Sequence, residues 1–169
     1  MDAYLDIETT GLSPYSDKIT VIGIGLSLGE RLQVVQLVDK EVTERRLTGA
    51  LEGVTRLYTY NGARFDIPFV RGFLGLNLSD RLDHHDLMLD CWNRGLFGGL
   101  KAVEENLGIP RQLKGVTGLD AVNLWYRYKE HGDGKALHIL LEYNKEDVEN
   151  LLHLRRKLEN NPMAGRPGL

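Results

Sequence analysis

The spacing of apolar and polar positions divides the chain into a strand-rich opening and a helix-rich remainder. Asp2 to Ile7 is short and largely apolar and stops at Thr10-Gly11-Leu12-Ser13-Pro14, which predicts a buried strand running into a loop. Ile19 to Leu28 and Arg31 to Val38 are rich in β-formers and are separated only by Gly29-Glu30, the spacing of a tight hairpin. A helical period follows from about Lys40 to Leu51, with Val42, Leu47 and Leu51 in phase, and Arg56 to Tyr60 reads as another strand. The order to that point is βββαβ.

Beyond Asn61-Gly62, a helix is predicted from about Ile67 to Leu74. It starts near Asp66, with Pro68 tolerated in its first turn. His84 to Leu89 fits either a short strand or a helix, and Gly98 to Asn106 and Leu119 to Tyr128 read as short helices between loops with Gly and Pro. A longer helix from about Ala136 to Leu158 gathers Leu137, Leu140, Leu141, Val148, Leu151, Leu152 and Leu158 on one broad apolar face. Residues 160–169 carry two prolines and two glycines and are expected to form a disordered tail. With no internal repeat and no second boundary, residues 1–159 are expected to form one domain around one core.

Composition narrows the classes. No apolar run approaches the roughly 20 residues needed to span a bilayer, and Met1 leads straight into Asp2 without the basic and apolar regions of a secretory signal. The expectation is a soluble cytoplasmic protein with no membrane association. Cys91 is the only cysteine, so no internal disulfide forms. It is expected to be semi-buried, and no Cys/His spacing suits zinc. The formal net charge of −3 argues against a protein that grips duplex nucleic acid mainly through a basic patch. A carboxylate site changes that picture, because bound divalent ions reverse its local sign.

Carboxylates are where candidate chemistry lies. Asp6 and Glu8 flank Ile7, so strand alternation places both acids on one face, roughly 7 Å apart along the chain. On an edge strand they would be solvated charges; beside a core, a hard divalent cation can hold both ionised. Asp66 stands at a strand-to-helix junction, where capping and metal binding are both open to it. Tyr143 and Asp147 lie four residues apart in the last helix and share a face, roughly 6 Å apart along its axis. Asp83, Asp86 and Asp90 surround His84 and His85. This second acidic cluster could hold a metal, but the preferred reading is backbone caps and polar surface, with Asp86 a candidate to support the main site from behind.

The sequence DIETTGL at residues 6–12, NGARFD at 61–66 and YNKED at 143–147 together resemble the DEDD superfamily of DnaQ-like 3′-to-5′ exonucleases, named for its four acids. With Tyr at position 143 and Glu at 142, the third motif is similar to the tyrosine branch. Size and the flanking HHDLM and Gly118-to-Trp125 segments look most like stand-alone ribonuclease H-like domains of the YprB type. The resemblance implies an α/β ribonuclease H-like fold, with a five-stranded mixed sheet flanked by helices. It also implies hydrolysis of phosphodiester bonds at single-stranded DNA or RNA 3′ ends by a two-metal mechanism using Mg²⁺ or Mn²⁺.

On that resemblance, Asp6, Glu8 and Asp147 hold the metal that activates water, Asp6 also reaches a second metal supported by Asp66, and Tyr143 orients the attacking water. The backbone around Thr9 and the side chain of Leu12 would meet the terminal nucleotide, with Asn61 and Phe65 on the preceding one. Phe65 reads equally as a stacking face or a core aromatic. A non-catalytic binding or scaffolding module of the same fold and a metal-dependent endonuclease are the rival readings. A phosphate loop at Gly23-x-Gly25-x3-Gly29 is disfavoured because a strand, not a helix, follows it. The residues leave open the choice between DNA and RNA, processivity, oligomeric state, protein partners and pathway.

Overall fold

The computed structural model describes residues 1–29 and 31–160. Five strands form one mixed sheet: β1 (Asp2–Thr9), β2 (Ile19–Leu28), β3 (Arg31–Val38), β4 (Arg56–Thr59) and β5 (Asp83–Asp86). Their order across the sheet is β3-β2-β1-β4-β5. The first three run antiparallel as a meander, while β4 lies parallel to β1 and β5 parallel to β4. Six helices cover the two faces: α1 (Glu44–Ala50), α2 (Asp66–Leu74), α3 (Leu87–Trp92), α4 (Leu100–Leu107), α5 (Gly118–His131) and α6 (Gly134–Asn160). The α/β class and the five-stranded mixed sheet are those expected from the sequence.

Strand alternation decides which face each side chain joins. Ala3, Leu5 and Ile7 of β1 enter one cluster with Leu47 of α1 and Phe69 and Val70 of α2. Tyr4 points the other way, into a cluster with Leu87 and Cys91 of α3 and Val148, Leu151 and Leu154 of α6. Asp6 and Glu8, in phase with Tyr4, are therefore carried on the α6 side of the sheet. A third cluster joins α5 and α6 through Ala121, Leu124, Trp125, Ala136 and Leu140.

Several boundaries differ from those expected. The helix foreseen over residues 40–51 is broken: a 3-10 turn at Asp39–Glu41 precedes α1, and extended Thr43 accepts a hydrogen bond from the Arg46 amide as the α1 N-cap. A capping threonine stops helical dihedrals from continuing back through it, which periodicity alone does not register. The ambiguous segment at residues 84–89 resolves into both readings, β5 and then α3. Asp86 joins them, since its carboxylate accepts from the Met88 amide at 3.1 Å. Cys91 is fully buried rather than semi-buried, and burial pushes its thiol pKa up to about 11. Asn160 ends α6, and residues 161–169, the expected tail, lie outside the described residues. No helix of the described residues is long and apolar enough to cross a membrane.

Candidate active site

Parallel pairing of β1 with β4 brings the C-terminal ends of both strands to the same edge of the sheet. Asp6 and Glu8 stand at the end of β1, and the turn after β4 carries Asn61 through Asp66 to the same place. In open α/β sheets, clefts form at such strand ends. Here a cleft of about 570 Å³ is lined by Asp6, Glu8, Thr9, Leu12, Asn61, Phe65, Asp66, Tyr143 and Asp147, among others. All nine residues singled out from the sequence thus line one cleft.

Within it, Asp6, Glu8 and Asp147 each present a carboxylate oxygen within 4.8 Å of the other two. Asp66 lies outside that three-residue cluster but close enough for its charge to act on Asp6 and Glu8. Burial is the main cause that raises all four carboxyl pKa values, and mutual repulsion adds to it for Asp6 and Glu8. The carboxyl of Asp66 is pushed up to about 7, although backbone hydrogen bonds from itself and Ile7 offset part of the shift. For Asp147, the neighbouring Arg111 offsets part of the burial effect. Tyr143 is also buried. Desolvation, then the charges of Asp147, Glu8 and Asp6, raise its phenol above its ordinary value, so it stays protonated at neutral pH. A solvated helix face for Tyr143 and Asp147 is excluded by the burial of both.

Like charges gathered in a poorly hydrated place are costly unless a cation joins them. The donor set fits a hard divalent ion: all oxygen, convergent, and including Glu8 Oε1, which is buried without a hydrogen-bond partner. Asp6, Glu8 and Asp147 could hold such an ion, with Asp66 elsewhere in the cleft lining.

Other side chains fall into supporting places. The capping role left open for Asp66 is not seen: Phe65 is the N-cap residue of α2, no side chain caps it, and Asp66 occupies the first helical position. Phe65 is half-buried, packing on Phe69 with ring centroids 5.4 Å apart, and it also lines the cleft. Leu12 is 85% exposed at the cleft rim. Asn61 adopts a left-handed conformation (φ 60°), which Asn tolerates better than most residues. The Asp86 carboxylate accepts from the Asn61 and Ala63 amides at 2.8 and 3.0 Å and so pins the turn that delivers Asn61, Phe65 and Asp66. His84 meets the Thr59 hydroxyl and His85 meets Asp83, both at 2.9 Å. Neither histidine nor Asp83 or Asp90 joins a metal-ligating group among the described residues.

Several contributors were missed from sequence. Asn144 is fully buried and donates to the backbone oxygen of Asp6 at 3.2 Å and to its Oδ2 at 3.0 Å, while accepting from Gln36 at 2.9 Å. Arg111 pairs with Asp147 and Glu104. Lys101 lies 4.7 Å from the centre of the Tyr143 ring. Gly118, Leu119 and Val122 of α5 complete the cleft opposite Leu12. A signal for two of them was present. Asn144 falls between Leu140 and Val148, and Glu104 beside Val103, at positions where helical spacing demands an apolar residue.

A mixed five-stranded sheet with carboxylates gathered at its strand ends defines an α/β protein with an acidic cleft. Residues 3–159 match the profile of the RNase_H_2 family of the RNase_H superfamily, and the chain belongs to that superfamily. An uncharacterised protein of Methanocaldococcus jannaschii is 28% identical over 177 residues, covering 92% of this chain and 94% of that one. Among solved structures, Brucella melitensis NrnC bound to pGG superposes with a TM-score of 0.65 at 21% identity, over 96% of this chain and 76% of that chain. A second structure of NrnC, with bound Mg²⁺, gives a TM-score of 0.59 at 18% identity, with coverage of 96% and 75%. Exonuclease I gives 0.57 at 14% identity over 94% of this chain, which spans only 40% of that enzyme. At these identities the superpositions show a shared fold.

Proposed function

We propose that this protein is a metal-dependent 3′-to-5′ exonuclease of the tyrosine branch of the DEDD superfamily, of the stand-alone YprB type, acting on single-stranded DNA or RNA ends. The observation that carries the reading is the convergence of Asp6, Glu8 and Asp147 within 4.8 Å, beside the orphaned oxygen of Glu8. Similarity to NrnC, whose structures hold pGG or Mg²⁺, and to exonuclease I supports it.

Each residue then has a task. Asp6, Glu8 and Asp147 would hold one divalent ion, and Asp6 with Asp66 a second, Mg²⁺ and Mn²⁺ being the ions suited to carboxylate and water ligands. Such ions, when bound, lower the pKa of water and stabilise charge on the attacking and leaving oxygens of a phosphodiester. Tyr143, protonated, donates or relays a hydrogen bond and so orients water instead of acting as a strong base. Asn144 holds Asp6 in place through two hydrogen bonds. Thr9 and Leu12 form the wall that meets the terminal nucleotide, and Asn61 and Phe65 the wall that meets its neighbour.

The test uses 5′-labelled single-stranded DNA and RNA incubated with Mg²⁺, Mn²⁺ or chelator, alongside an Asp6→Ala/Asp147→Ala variant. A metal-dependent ladder that shortens from the 3′ end and vanishes in the variant is expected. Internal cuts would make the protein an endonuclease, and retention of nucleic acid without cleavage under either metal would make it a binding module.

A further inference from the structure

Asp147 is tied into a charged network whose other members the chemistry above does not use. Arg111, in the loop between α4 and α5, has a side chain only 9% exposed, and it grips Glu104, 2% exposed, with a two-pronged contact: Nε to Oε2 and Nη2 to Oε1, both 2.8 Å. The same Nη2 also donates to Asp147 Oδ1. Nη1 lies 3.6 Å from Glu146 Oε2 and makes no hydrogen bond. The surrounding loop is itself tied to α6 on both sides of Asp147. Glu146 accepts from the amides of Gln112 and Leu113, and Asn150 donates to Glu104 Oε1 at 3.0 Å and to the Pro110 carbonyl at 3.4 Å.

Burying a guanidinium beside three carboxylates is expensive unless its geometry is fixed, and a planar fork is the side chain that can satisfy two acids at once. Glu104, locked by Asn150, fixes the fork. The fork in turn fixes one oxygen of Asp147, and no hydrogen bond among the described residues reaches the other oxygen, Oδ2.

We propose that Arg111, braced by Glu104, is a positioning residue that holds Asp147 by Oδ1 and presents Oδ2 as its metal-ligating atom. This rests on the metal-centre reading above. Partners of this kind orient ligands and raise metal affinity by roughly 10- to 100-fold. A lysine in place of Arg111 keeps the buried charge but cannot span both acids.

The experiment is an Mn²⁺ titration of the full chain, followed by electron paramagnetic resonance of the free ion. It compares the parent, Asp6→Asn, Arg111→Lys and the double variant Arg111→Met/Glu104→Gln. The double variant removes both buried charges together, so that neither is stranded. Circular dichroism and thermal melts report that the variants are folded. The expected result is Mn²⁺ binding by the parent that is lost in Asp6→Asn and weakened about tenfold or more in both Arg111 variants. Excess Mn²⁺ should then recover turnover in Arg111→Lys. Folded Arg111 variants that bind Mn²⁺ as the parent does would reduce Arg111 to a structural tie. Tighter binding would make it a competitor of the metal. Either result overturns the proposal while leaving the metal centre intact. Absence of Mn²⁺ binding by the parent overturns the metal centre and this role together.

Discussion

Asp66 illustrates how a single carboxyl couples folding to pH. Its pKa in the folded chain is pushed up to about 7 from an ordinary value of 3.8, chiefly by burial. A group whose folded pKa is raised contributes stability that is fully present below its unfolded pKa and is lost as pH rises through the folded value. In chelator, the thermal midpoint should therefore fall as pH increases from about 4 to 8, with Asp6 and Glu8 acting in the same direction. Asp66→Asn should make that slope shallower, recovering up to about 4 kcal/mol near pH 8, and Mn²⁺ should flatten it in the parent. A midpoint independent of pH in chelator would contradict the burial of these charges. The acids of the cleft were legible in sequence because motif spacing and strand phase single them out. Arg111 was not, since its role depends on a loop meeting α6 at residue 147, a contact that no local pattern encodes.

At the scale of elements, β2 and α6 approach closely because β2 carries glycine where α6 crosses it. A Cβ placed on Gly23 would collide with the side-chain oxygen of Asn144 and stand 2.8 Å from Val148, and one on Gly25 would also stand 2.8 Å from Val148. Gly23 and Gly25, two of the three glycines that superficially suggested a phosphate loop, are therefore a seat for the last helix, while Gly29 follows β2 with a positive φ. Gly23→Ala should displace Asn144 and with it the hold on Asp6. A destabilisation of about 1–3 kcal/mol is expected from overpacking, with a loss of nuclease activity larger than the loss of folded protein. Equal activity per folded molecule would show that Asn144 does not set the position of Asp6. Helix and strand types were readable for most elements, because the apolar period is long in α6 and β1 is a short, largely apolar run ending at a turn. The breaks were harder: the α1 start rests on the capping of Thr43, and the β5-to-α3 switch on Asp86.

Across the whole molecule, 21 Lys and Arg against 24 Asp and Glu leave a formal charge of −3 and no net positive field to hold a long phosphate backbone. Affinity for a strand should come from the cleft alone, so degradation is expected to be distributive and to slow several-fold between roughly 50 and 200 mM salt. An unlabelled competitor added after the start should arrest the ladder at intermediate lengths. Completion of each labelled strand despite the competitor would reveal a binding surface beyond the cleft.

The acidic cluster joins Asp6, near the beginning of the chain, to Asp147 on α6, near its end. During synthesis β1 with Asp6 and Glu8 and the start of α2 with Asp66 emerge early, at roughly 5–20 residues per second, while Tyr143 and Asp147 are still to come. A ribosome translating this chain holds messenger RNA close to the nascent protein. The acidic centre is complete only once α6 has emerged and docked, so on the proposed reading the capacity to cleave nucleic acid would follow the making of the chain.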